Sequence, residues 1–271
     1  MKLIASDMDG TLLQNDSMQV SNRAIHLIQQ LTQKGYLFAA ASGRQYPNLK
    51  RLFKEASKDM AFICENGAVV FYQDKLLIHN PMEHNLALQL CHDIYNQTGC
   101  EVLISGIQTS YLKPKHPSFL YHMRHTVKYD VQIVDSFEDI KESIIKVSVF
   151  QKEGVVENSA DYFTKRWEDK FKCTISGFAW LDFVSPKVNK GASLLSLMDF
   201  FQIPRHNTFA FGDNYNDIEM LQTVEHGYIM ENAVDELKQL FPLKAKLVED
   251  ELEKILWSCH TLGSMNKDCS S

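Results

Sequence analysis

Between Lys2 and Leu13 the chain reads Lys-Leu-Ile-Ala-Ser-Asp-Met-Asp-Gly-Thr-Leu-Leu, an apolar run that ends in two carboxylates one residue apart. Leu3, Ile4 and Ala5 are uninterrupted apolar residues, the pattern of a parallel strand covered on both faces. Gly10 lets the backbone turn sharply, and Thr11 brings a hydroxyl to that turn. In an extended backbone residues i and i+2 point the same way, so Asp7 and Asp9 crowd one small volume. Two unit charges about 4 Å apart repel by roughly 4 kcal/mol at an effective dielectric of about 20. Either a cation or a proton offsets that repulsion, or the stretch is an acidic surface turn. The remaining chain decides between the two.

Ser21 is suited to cap a helix in which Ala24, Leu27, Ile28 and Leu31 recur at helical spacing up to Gly35. The apolar run from Tyr36 then ends in Ser42-Gly43-Arg44. Strand, helix and strand in this order make a β-α-β unit with parallel neighbours. That places Asp7, Asp9 and Ser42 at one edge of the sheet, where open α/β sheets bind ligands. Ser42 and Gly43 offer a hydroxyl and approachable N–H groups that suit a phosphate, although Ser-Gly-Arg alone is an ordinary turn. A helix from Pro47 to Ala56, a strand from Met60 to Cys64 and a hairpin of Val69–Tyr72 with Leu76–His79 are expected next.

Between Pro81 and Pro186 the pattern changes to a helix over 83–97, short strands, a helix over 155–171 and two closing strands. This predicts an inserted α+β unit with a mostly antiparallel sheet over residues 82–186. Residues 1–81 and 187–271 then form a discontinuous α/β core with a Rossmann-like parallel sheet. After the insert, Lys190 opens a helix, and a strand over 207–211 runs into Gly212-Asp-Asn-Tyr-Asn-Asp217. One aspartate there caps a helix cheaply, but two acids and two carboxamides within residues 213–217 exceed what capping requires. The tail beyond Gly263 is expected to be unstructured.

Three strand ends thus converge, bearing Asp7 and Asp9, Ser42, and Asp213 with Asp217, and Lys190 sits beside them. Carboxylates with hydroxyl and amide oxygens make a hard-oxygen site that favours Mg²⁺ over zinc or copper. With a lysine and a serine for a phosphate, the set points to phosphoryl transfer. A net charge of −6 and the lack of a long basic run argue against a nucleic-acid partner. No apolar stretch approaches the ~20 residues of a membrane span, and Asp7 and Asp9 interrupt any leader, so a cytoplasmic location is expected. Six cysteines without a Cys-x-x-Cys pair read as reduced thiols, with Cys64 in the core.

At these residues the chain resembles the haloacid dehalogenase superfamily of phosphohydrolases. Asp7-Met-Asp9-Gly-Thr11 is similar to its first motif, Ser42 to its second, Lys190 to its third, and Gly212-Asp213-Asn-Tyr-Asn216-Asp217 to its fourth. The large insert, Glu65-Asn66-Gly67-Ala68 and Met230-Glu231-Asn232-Ala233 resemble the Cof-type branch, whose insert is a substrate-selecting cap. The resemblance implies Asp7 as nucleophile, forming an aspartyl-phosphate, and Asp9 as the acid and then the base. It implies Mg²⁺ held by Asp7, the Asp9 backbone carbonyl and Asp213, with Asp217 bonding waters or Lys190. Met8 N–H, Thr11, Ser42, Gly43, Lys190 and Asn216 would bind the phosphoryl group.

The implied activity is hydrolysis of small phosphorylated metabolites, sugar phosphates above all, by a monomer or weak homodimer. A phosphomutase and a non-catalytic metabolite-phosphate sensor are the alternatives. Two departures from the family stand out: Glu231 occupies a position usually held by Gly, and the usual Gly-Val near 248–255 is missing. His116, His122 and His125 lack a metal-ligand pattern and read as polar residues of the insert. Arg44 and Lys187 read as solvated charges that are candidate specificity contacts, and the apolar stripe from Leu194 to Phe201 reads as core.

Overall fold

The computed structural model describes residues 1–264 apart from Asp16 and Lys128, and excludes the side chains of Glu55 and of residues 259–264. The expected unstructured tail lies almost wholly outside the described residues. The chain divides into two compact units, Met1–Ile78 with the chain from Asn189 onward, and His79–Val188.

In the larger unit, β1 (Lys2–Asp7) leads into α1 (Asn22–Gln33) and β2 (Tyr36–Ala41). Ser21 caps α1, its hydroxyl accepting the Ala24 N–H at 3.0 Å, a bond worth about 1 kcal/mol. Next come α2 (Tyr46–Arg51), β3 (Met60–Cys64), β4 (Val69–Tyr72) and β5 (Lys75–His79). The helix expected over 47–56 is shorter, because Lys54 takes a left-handed φ of 50° and a 3₁₀ segment follows. Gln73 and Asp74 both have positive φ, the two-residue turn that matches the twist of the β4–β5 hairpin.

The smaller unit contains α3 (His84–Asn96), β6 (Glu101–Gly106), β7 (Ser110–Leu112), α4 (Pro117–Tyr121), β8 (Val131–Ile133) and β9 (Ile144–Phe150). α5 (Ala160–Trp167), β10 (Lys172–Gly177) and β11 (Trp180–Val184) complete it. Its sheet runs β10-β11-β9-β6-β7-β8 and is antiparallel except between β7 and β8. Leu90, Ile94, Phe163 and Trp167 from α3 and α5 pack with Val102, Val147 and Val149 from the strands. The helix expected over 155–171 starts late. The Val155 carbonyl accepts N–H groups from Asn158, Ser159 and Ala160, a turn that precedes the helix. His122 lies in a π-helical segment against the Phe150 ring, at 5.3 Å, and His125 lies against Tyr121.

The chain re-enters the larger unit through α6 (Lys190–Phe200), β12 (Thr208–Gly212), α7 (Ile218–Thr223), β13 (His226–Met230), α8 (Asp235–Leu240), β14 (Leu243–Ala245) and α9 (Val248–Ser264). The sheet order is β14-β13-β12-β1-β2-β3-β4-β5. β1 is central, pairing in parallel with β12 on one side and β2 on the other. Leu3, Ala5, Leu37, Ala39 and Ala210 are buried against Leu194, Leu197 and Leu221. Leu195 and Phe200 are exposed instead, so the stripe on α6 is core on one side only. Parallel register brings Asp7, Ala41 and Gly212 to the same edge, which positions everything described next. Cys64, Cys91, Cys100 and Cys173 are free, the first three buried, and the Cys259 and Cys269 side chains fall outside the described residues. No described helix is long and apolar enough to cross a membrane.

Gly67 and Gly35 both have positive φ, but only Gly67 is crowded. A Cβ there would sit 2.4 Å from the Asn189 carbonyl oxygen, whereas one at Gly35 meets nothing within 4 Å. Gly35→Ala is expected to cost about 1 kcal/mol from backbone strain alone, and Gly67→Ala about 2 kcal/mol or more. Denaturant unfolding of the two variants checks this; equal losses would contradict the close approach of the Gly67 loop to α6.

Candidate active site

β1 ends on Asp7, which is 7% exposed, and α6 begins on Lys190, which is 1% exposed. Asn189 caps α6, its Oδ1 accepting the Ala192 N–H at 2.7 Å, and this fixes where Lys190 enters. Lys190 Nζ donates to Asp7 Oδ1 at 2.5 Å and to Asp217 Oδ1 at 2.7 Å. The other oxygen of Asp217 accepts the N–H groups of Asp213 and Asn214, both at 3.0 Å. Asp217 thus closes the loop after β12 and locks the lysine at the same time.

Asp213 is held from the turn after β1. Thr11 Oγ1 donates to Asp213 Oδ1 at 2.9 Å. Asn232, from the loop after β13, donates to the Gly10 carbonyl at 2.9 Å and to Asp213 Oδ2 at 3.4 Å. Gly10 has a φ of +86°, and a Cβ there would lie 2.2 Å from Asp213 Oδ2, so only glycine fits. One carboxylate oxygen from each of Asp7, Asp213 and Asp217 lies within 4.8 Å of the others.

The loop after β2 completes the edge. Ser42 N–H donates to the Ile63 carbonyl, and Ser42 Oγ accepts the Arg44 N–H at 3.2 Å. Asn66 N–H donates to the Ser42 carbonyl, and Asn216 Nδ2 donates to Asn66 Oδ1 at 3.2 Å. Asn66 therefore joins the Ser42 loop to the Asn216 loop, with the left-handed φ of 55° that asparagine tolerates. A Cβ at Gly43 would meet the Asn66 side chain at 3.2 Å.

The structure thus gathers Asp7, Thr11, Lys190, Asp213 and Asp217 into one bonded cluster, with Ser42, Gly43 and Asn216 tied together through Asn66. The Met8 side chain is buried, and its carbonyl accepts Leu13 N–H at 2.7 Å, bracing the turn. Asp9 is outside that bonded cluster: Arg44 donates to both of its carboxylate oxygens. The Glu231 side chain is exposed. Reading the sequence as isolated motifs missed the bridging by Asn66 and Asn232 and the engagement of Arg44. The Asn-Gly dipeptide at 66–67 was the available signal for the first.

Burial, and then the neighbouring Asp217 carboxylate, raise Asp7 from 3.8 to about 8, even though Lys190 pulls the other way. Asp213 is also raised, mainly by burial, and the Thr11 hydroxyl opposes this. Burial alone would lower the Lys190 ammonium, but Asp7 and Asp217 outweigh it and hold the charge in place. Three carboxylates against one ammonium leave the cluster with excess negative charge. An all-oxygen donor set of that charge fits a hard divalent cation.

The haloacid dehalogenase-like hydrolase family model matches residues 4–250. A 5-amino-6-(5-phospho-D-ribitylamino)uracil phosphatase of Escherichia coli is 26% identical over 232 residues, covering 86% of each chain. A protein of the same description from Bacillus subtilis is 27% identical over 249 residues, covering 88% of this chain and 89% of the relative. Among solved structures, a protein of Eubacterium rectale superposes with a TM-score of 0.86 at 26% identity, over 94% of this chain and 99% of that one. The subclass IIB sugar phosphatase BT4131 shares the fold, with a TM-score of 0.74 at 19% identity, over 97% of this chain and 99% of that one. The chain belongs to the haloacid dehalogenase-like hydrolases, in the Cof-type branch, and its enzyme class is phosphoric monoester hydrolase.

The raised Asp7 has a consequence for stability. Between its ordinary value of 3.8 and about 8, the folded state keeps a proton that the unfolded chain has released. Without divalent cations, this group's contribution therefore falls as pH rises across that window. Asp7→Asn cannot ionise and is expected to lose this slope. Thermal unfolding in chelator should show the variant gaining on the native protein from pH 4 to pH 8; a constant difference would contradict the raised value.

Proposed function

We propose that this protein is a Mg²⁺-dependent phosphatase of small phosphorylated metabolites that works through an aspartyl-phosphate on Asp7. The observation that carries the reading is the buried Lys190 ammonium bonded at once to Asp7 and Asp217 beside Asp213. In phosphoryl transfer the protein acts almost entirely by positioning and by charge stabilisation, and this cluster is suited to both. Asp7 and Asp213 would hold Mg²⁺, with the Asp9 carbonyl as a third ligand. The ion would supply positive charge to the phosphoryl oxygens.

An Asp7 oxygen attacks phosphorus, and the bond to the leaving oxygen breaks with its electron pair on that oxygen. Asp9 gives that oxygen a proton. A water oxygen then attacks phosphorus and passes its proton to the Asp9 carboxylate, while the bond from phosphorus to Asp7 breaks and restores the aspartate. Ser42, Gly43, Lys190, Asn216, Thr11 and the Met8 N–H are the chain's groups for the phosphoryl oxygens. Lys190 also keeps Asp7 oriented and offsets its charge, and Asp217 keeps Lys190 in place. Residues 82–186 are the part of the chain we assign to leaving-group selection. The phosphatase names of the relatives support hydrolysis over transfer, and make phosphorylated uracil derivatives, alongside sugar phosphates, the compounds to test first.

With an aryl phosphate, turnover is expected to require Mg²⁺, to vanish in Asp7→Asn, and to fall about 10²–10⁴-fold in Asp9→Asn. Steady-state phosphate release measures all three, and robust turnover by Asp7→Asn would sink the assignment. Independently of activity, Mg²⁺ should raise the melting temperature of the native protein and not that of an Asp7→Asn, Asp213→Asn double variant.

A further inference from the structure

The Asp9 side chain is 60% exposed, and an exposed aspartate on a turn ordinarily samples several rotamers. Here one guanidinium takes both of its oxygens. Arg44 Nη2 donates to Asp9 Oδ1 at 2.5 Å, and Nε donates to Oδ2 at 3.1 Å. Arginine's planar fork matches a carboxylate in this way, whereas a lysine ammonium meets it as a point charge.

Arg44 is itself planted. Its N–H donates to Ser42 Oγ at 3.2 Å, and its carbonyl accepts the Glu65 N–H at 3.1 Å. The guanidinium thus reaches from the loop after β2 to the turn after β1, along the sheet edge that carries Asp7. A surface ion pair elsewhere would contribute little. This one instead fixes the direction of a carboxylate whose neighbour two residues earlier is buried on Lys190.

Resting on the reading of Asp9 as the proton carrier, we propose that Arg44 is a positioning residue for the reaction. It holds the Asp9 carboxylate in one orientation and acts through Asp9, without binding the phosphoryl group. Proton transfer needs the carrier within hydrogen-bond reach, and a misplacement of about 1 Å can cost roughly 100-fold. Arg44→Ala is therefore expected to lower kcat by about 10–100-fold while KM stays within about twofold. Arg44→Lys, which keeps the charge without the fork, should recover part of the loss.

The test is a double-mutant cycle on the full chain with an aryl phosphate at saturating Mg²⁺, comparing the native protein, Arg44→Ala, Asp9→Asn and the double variant. Arg44→Ala should add no loss once Asp9 is replaced. Independent losses that multiply would overturn the proposal, and so would a raised KM with unchanged kcat, which would make Arg44 a substrate contact. Loss in Asp9→Asn with none in Arg44→Ala removes the proposal alone. Full activity in Asp9→Asn removes the acid–base reading and the proposal together. If Asp9→Asn is too slow to measure, the kcat-against-KM split of Arg44→Ala decides. Melting curves of Arg44→Ala and Arg44→Lys, expected to match the native protein, separate positioning from misfolding.

Discussion

The site depends on one buried cation. Lys190 joins Asp7, 183 residues earlier, to Asp217, 27 residues later, so three distant segments meet at a single ammonium. Removing the lysine would strand two buried carboxylates, and a broken buried pair costs about 3–5 kcal/mol. The arrangement is braced on two sides: two backbone N–H groups bond Asp217, and a helix cap sets where Lys190 enters. The surplus negative charge that remains is a structural cost, and it is also what makes the cluster suited to a cation and a phosphate.

Around that cation the parallel sheet acts as a jig. Because β1 pairs in register with both β2 and β12, Asp7, the Ser42 loop and the Asp213 loop must emerge side by side. Small residues then let the loops approach. Gly10 makes room for Asp213, and Gly67 lets its loop lie against the start of α6. Thr11, Asn66 and Asn232 bond across these approaches, so the chain carries its supporting groups in the same loops as its charged ones.

Much of this was legible in the sequence, because strand ends in a β-α-β repeat share an edge whatever their distance along the chain. Asp7, Ser42 and Asp213 could be brought together on that ground, with Lys190 opening a helix beside them. What was not legible depends on φ angles or on register across strands. The left-handed Lys54 ends α2 early, and the turn around Val155 delays α5, although both stretches keep helical spacing of apolar residues. Arg44 read as a solvated charge, since nothing local reveals that its partner lies 35 residues earlier, in the turn after β1. The outward-facing Leu195 and Phe200 likewise show that an apolar stripe does not say which side of a helix the sheet covers.

The central claim is that Asp7 is the residue that carries the phosphoryl group. It is tested most directly by mixing the Asp9→Asn variant with Mg²⁺ and a phosphate monoester, quenching in acid within one turnover, and mapping the modified peptide by mass spectrometry. The account predicts a phosphate mass increment on Asp7, lost in the Asp7→Asn, Asp9→Asn double variant. Turnover with no phosphorylated peptide, or phosphate on another residue, would contradict it.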